Sequence, residues 1–180
     1  YVNPALFPNT VINSPASQIS IRFKLQALNS TIATGFTASL DAIGYALAML
    51  RFGRARALVV GGVEELCLQT FLGFYKLGVL ATGSHGTDPF YAPFHPQRRG
   101  TLLGEGAACV VLEPFEEAAR RGARIYAEVA SYGTAFHPDS LYRYDASATS
   151  AIEAVRQALR EAAVSPDDID YISACANSTK

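Results

Sequence analysis

The chain has 180 residues, of which 49% are hydrophobic and 17% charged, which is typical of a globular protein able to bury a sizeable core. Its 15 basic and 16 acidic side chains give a net charge of -1. This balance excludes the basic surface that a nucleic-acid backbone or an anionic membrane attracts. Its three cysteines form neither a CxxC pair nor a zinc pattern, so we expect reduced, mostly buried thiols, no metal and a cytoplasmic location.

The first half of the chain alternates helix and strand signals. Residues 1–27 begin as a loop with prolines and lead into a short amphipathic helix in "ASQISIRFKL". "LNSTIAT" is short and β-branched and predicts a strand. Apolar residues three or four apart predict a helix from Thr37 to Phe52, ended by Gly53. "RARALVVGG" predicts a strand buried on both sides, and "ELCLQTFLGFYKLG" predicts the next helix.

The second half begins with an irregular stretch over residues 81–101, and loops of that length are often functional. "GAACVVLE" predicts another buried strand, and "PFEEAARRG" predicts a compact helix with Pro114 at its start. A strand in "RIYAEVASYG", a helix in "SATSAIEAVRQALREAAV" and a capped turn leading to a strand in "SPDDIDYISACA" follow. The alternation predicts a layered α/β fold with helices on the sheet faces.

Three stretches together resemble the β-ketoacyl synthases of the thiolase superfamily: "NSTIATGFTASLDAIG", "PFHPQRRGTLLGEGAACVVLE" and "SPDDIDYISACANST". They stand in the family's order and spacing. The resemblance implies a thiolase-like layered α/β/α/β/α fold, of which residues 1–113 are the end of the N-terminal half and residues 114–180 the start of the C-terminal half. Because the family's chains are longer and this sequence begins at Tyr1 without Met, we expect it to be a central segment of a longer protein.

The resemblance also locates the family's nucleophile. A strand-to-helix turn often exposes a Ser or Cys over a helix N-terminus, and in this family a T-A-C-[AS] motif presents the acyl-accepting Cys there. The matching positions are Thr34, Gly35 and Phe36. A phenyl ring forms no thioester, so we expect Phe36 to plug the acyl pocket, where its burial contributes roughly 1.5 to 3 kcal/mol. The alternative is an ordinary core Phe.

A second motif has also changed. The family's A-H-G-T-x-T stretch reads "ACANST" here and places Cys175 at the position of the His, although a neutral thiol is a weak donor and a poor base. In the loop, His95, Arg99 and Thr101 depart from the family pattern, while the retained Glu105 is expected to be a buried carboxylate. We therefore predict no catalytic residue, with Phe36 and Cys175 as degenerate positions, and no cofactor.

The resemblance implies a subunit like the chain-length factors, which lack the nucleophile and pair with an active ketosynthase. It implies a heterodimer or homodimer through residues near Asn29 to Thr34, and contact with an acyl carrier protein. The alternatives are an active acyltransferase (3-oxoacyl-carrier-protein synthase) or a decarboxylase with a relocated nucleophile such as Cys175, or a condensing enzyme with an unusual motif. An inert packing role is favoured for the three cysteines, and His85, His95 and His137 are expected to be isolated loop histidines.

Overall fold

The computed structural model describes residues 3–81, 83, 91–138 and 145–179, and within them every predicted helix is present. The helices are α1 (Ser14–Phe23), α2 (Ala38–Arg51), α3 (Leu68–Leu77), α4 (Phe115–Arg120) and α5 (Thr149–Ala162), with 3₁₀ turns at Pro4–Asn9 and Pro166–Asp168. The strands β1 (Leu58–Glu64) and β2 (Gly106–Leu112) pair in a two-stranded sheet. No helix in the described ranges is both long enough and apolar enough to cross a membrane.

Local signals account for the helix ends. Gly53 follows α2 and Gly78 follows α3, and both have a positive φ that suits glycine after a last turn. Pro114 is the N-terminal cap of α4. Before the second 3₁₀ turn, the Ser165 side chain accepts from the Asp167 N–H, while the Asp168 carboxylate accepts from the Ser165 N–H, which forms a capping box.

Three predicted strands do not form ladders among the described residues. The stretches at residues 28–34, 124–133 and 169–176 belong to no sheet, so these strand predictions are wrong for this chain. A strand exists only when a neighbouring segment supplies backbone donors and acceptors, and β-branched composition does not create that neighbour.

The predicted burial of the strands is also wrong. Val60 is the buried residue of β1, and β2 contains none. Buried apolar side chains in the described ranges are small or medium in size: Ala46, Val60, Ala81 and Ala118. A two-stranded sheet leaves most of its surface uncovered. Cys109 of β2 is accordingly exposed; Cys175 is exposed as well and Cys67 is half-buried, so the thiols expected to be buried are not.

The chain forms two compact units. The first comprises Tyr1–Val63, Ala108–Phe136 and Ser147–Val164, and the second comprises Glu64–Ala107, His137–Ala146 and Ser165–Lys180. In the first unit, residues 130–134 lie along α5. There the Ser131 hydroxyl donates to the Ala158 carbonyl at 2.7 Å, and the Arg51 guanidinium of α2 donates to the Ala130 carbonyl at 2.6 Å.

Close packing in the first unit requires glycine at Gly133. A Cβ there would stand 2.9 Å from the backbone nitrogen of Ala158 and 3.0 Å from the carbonyl carbon of Ala154. Backbone atoms inside a helix cannot move aside cheaply, so the absence of a side chain lets this segment lie against α5.

Candidate functional site

The turn before α2 has the shape of a nucleophile turn. Gly35 has φ +93, a conformation that glycine adopts without strain, and Thr37 is the N-cap residue of α2. The carbonyl of Gly35 accepts from the Ala38 N–H at 3.1 Å. Phe36 lies at the tip, as the sequence predicts, but its side chain is 84% exposed. Burial of the ring as a plug is therefore not seen within this chain.

Hydroxyl donors converge on one carboxylate beneath this turn. The Oδ2 atom of Asp41, in the first turn of α2, accepts from the Thr37 hydroxyl at 2.9 Å and from the Thr34 hydroxyl. Its Oδ1 atom accepts from the Tyr132 hydroxyl. Sequence reasoning missed Asp41 and Tyr132. The local signal for Asp41 was an acidic residue in the first turn of a helix.

Glycines permit the close approach of neighbouring segments to α2. A Cβ at Gly44 would stand 2.5 Å from Cγ of Tyr132, so glycine allows the ring to lie directly on the helix. A Cβ at Gly62 would stand 3.0 Å from Cβ of Ser39. Glycine at position 62 therefore lets β1 approach Ser39 of α2 closely.

Cys175, which the sequence predicts to stand at the position of the family's histidine, belongs to the second unit. Cys175 is exposed, and the segment that follows it is held by the loop over residues 91–101. The Tyr91 hydroxyl donates to the Ala176 carbonyl at 2.8 Å, and the Ala92 N–H donates to the Ser178 hydroxyl at 3.1 Å. Ser178 is 3% exposed and has φ +64, a left-handed conformation that costs a non-glycine residue energy. These contacts hold the segment in one conformation.

Two residues retained from the family pattern have architectural contacts. Arg98 Nε donates to the Thr179 carbonyl at 2.7 Å. Gly100 has φ +134, and a Cβ there would stand 2.5 Å from the carbonyl carbon of Leu80. Glu105 accepts from the Leu66 N–H at 3.2 Å and is exposed, so the expectation that it is buried is wrong.

Cys67 differs from the other two thiols. It is the N-cap residue of α3, and its Sγ lies 3.2 Å from the Thr70 hydroxyl. Hydrogen bonds from the Thr70 side chain and backbone hold the pKa of the Cys67 thiol below its ordinary value, while desolvation and the Glu65 carboxylate act in the opposite direction. A lowered pKa favours the thiolate form of Cys67.

The histidines do not form a metal site among the described residues, where no group of three or more His, Cys, Asp or Glu side chains could hold an ion. His137 is not isolated, however, because its Nδ1 lies 3.6 Å from a carboxylate oxygen of Asp145. His95 Nδ1 accepts from the Gln97 N–H at 3.1 Å, within its own loop. His85 lies outside the described residues.

Solved structures resemble this chain over nearly its whole length. One is a chain from the complex of a type II polyketide synthase acyl-carrier protein with its ketosynthase bound to the hexaketide. The TM-score is 0.93 and the sequence identity 30%, and the match covers 99% of this chain and 44% of that chain. Another is the ishigamide ketosynthase/chain length factor, with a TM-score of 0.87, 30% identity and coverage of 99% and 43%. The thiolase-like α/β fold expected from the sequence is thereby confirmed for this segment.

Curated relatives and family models agree with these structures. The chain is 34% identical over 179 residues to a 3-oxoacyl-[acyl-carrier-protein] synthase 2 of Coxiella burnetii and 35% identical over 181 residues to a putative polyketide beta-ketoacyl synthase 1 of Streptomyces cyaneus. These alignments include 99% and 98% of this chain, but the chain spans only 43% and 41% of the length of those two proteins. The model of the beta-ketoacyl synthase N-terminal domain matches residues 1–118, and that of the C-terminal domain matches residues 126–180. The chain belongs to the β-ketoacyl synthase family.

Proposed function

We propose that this chain is a segment of a ketosynthase-like subunit of fatty acid or polyketide chain assembly that lacks condensing activity and supports an active ketosynthase, as chain-length factors do. The observation that carries the proposal is Phe36 at the tip of the intact turn before α2. The positive end of a helix can stabilise a thiolate at such a tip, but a phenyl ring has neither a charge to stabilise nor an electron pair for acyl transfer.

Cys175 gives independent support. In the matching motif it occupies the position of a histidine that polarises a thioester carbonyl, and a neutral thiol donates a hydrogen bond only weakly. The segment after Cys175 remains held by Tyr91, Ala92 and Arg98. A retained scaffold without the two reactive side chains is expected of a subunit that keeps the fold for a partner.

The proposed partners are an active ketosynthase subunit, or a second copy of this chain, and an acyl carrier protein. Solved structures similar in fold include a ketosynthase with its acyl-carrier protein and a ketosynthase/chain length factor, which supports both partner classes. We assign the subunit contact to residues near Asn29 to Thr34. This stretch belongs to no sheet within the described residues, so a neighbouring strand has backbone groups to pair with.

Two further parts of the proposal concern organisation and location. We propose a first half over residues 1–113 and a second over 114–180, and separate matches to the N-terminal domain over residues 1–118 and to the C-terminal domain over residues 126–180 support a division in this region. A cytoplasmic location is proposed as well, although relatives from Schizosaccharomyces pombe and Arabidopsis thaliana are described as mitochondrial.

The second candidate function is an active acyltransferase or decarboxylase with a relocated nucleophile. Two observations favour it: Cys175 is exposed, and the curated relatives are named as synthases. Acyl transfer to Cys175 would require its thiolate to attack the carrier's thioester, forming a new thioester and releasing the carrier thiol.

Intact mass spectrometry separates the two functions. The full-length protein, alone and with a candidate ketosynthase partner, is exposed to an acyl carrier protein loaded with a thioester. We expect an acyl adduct on the partner and none on this chain. An adduct mapped to Cys175 would refute the proposal, provided that it is lost in Cys175→Ser and kept in the matched control Cys109→Ser, which removes another exposed thiol.

A further inference from the structure

We draw no further inference here: the strongest candidate, the exposed apolar face of α3 that Leu68, Phe71 and Tyr75 form in the second unit, carries none because nothing in the structure shows what covers it.

Discussion

Gly44→Ala tests whether Tyr132 packs directly on α2. An alanine Cβ at this position would stand 2.5 Å from Cγ of the Tyr132 ring, so the ring must move and loosen its hydrogen bond to Asp41. Overpacking costs about 1 to 3 kcal/mol, and loss of a hydrogen bond to a charged group costs about 1.5 to 3 kcal/mol. Alanine in a helix interior stabilises the folded state by about 0.5 to 1 kcal/mol relative to glycine, which offsets part of this cost. The net expectation is a loss of about 1.5 to 5.5 kcal/mol.

The assay is the thermal midpoint of the full-length protein, with Gly73→Ala as the matched control. Gly73 is also inside a helix, α3, but a Cβ there would meet no described atom within 4 Å. We expect the midpoint to fall for Gly44→Ala and to rise for Gly73→Ala. In a Tyr132→Ala background the Gly44 substitution should become stabilising, because the obstructing ring is gone. If Gly44→Ala stabilises the protein as much as Gly73→Ala does, the packing argument is refuted.

Two further predictions use pKa directions. Thr70→Ala should raise the pKa of Cys67 and slow the alkylation of this thiol at neutral pH, while Cys175 reacts as before. An unchanged alkylation rate at Cys67 would contradict the stabilisation of its thiolate by Thr70. The hydrogen bond from Arg121 holds the pKa of Glu113 below its ordinary value, so this pair stabilises the protein above that value and the contribution disappears as the pH falls through the folded-state pKa. The difference in thermal midpoint between the protein and Glu113→Gln should therefore be present at neutral pH and shrink as the pH falls below the ordinary carboxyl pKa, whereas a difference that does not shrink in acid would count against the pair.

The helices could be predicted from the sequence because the signals for a helix are local. Each signal lies within or next to the helix that it predicts. Examples are the apolar spacing within α2 and α5 and the glycines after α2 and α3. Strands lack this property. The stretch at residues 28–34 has strand-like composition, yet its pairing depends on a neighbour that its own residues do not specify.

The candidate site also combines features that local sequence predicts with contacts that it does not predict. The position of Phe36 followed from a motif counted along the chain, and the structure places it at the predicted turn. The contact between Asp41 and Tyr132 joins residues 91 positions apart, and no periodicity or spacing connects them. His137 and Asp145 were likewise separate in the sequence and are neighbours in the structure. Long-range polar contacts depend on how segments pack, which a single sequence does not reveal.

The conformation of the turn before α2 does not depend on the residue at its tip. Gly35 supplies the positive φ, and Asp41 gathers the hydroxyl donors, so the conformation is stabilised without a reactive side chain at the tip. Phe36 buries little of its surface within the chain, so its packing there contributes little to stability. The residue at position 36 is therefore not dictated by the fold of this segment. Under the proposed function, the exposed ring of Phe36 is the surface that a partner subunit or an acyl chain would cover.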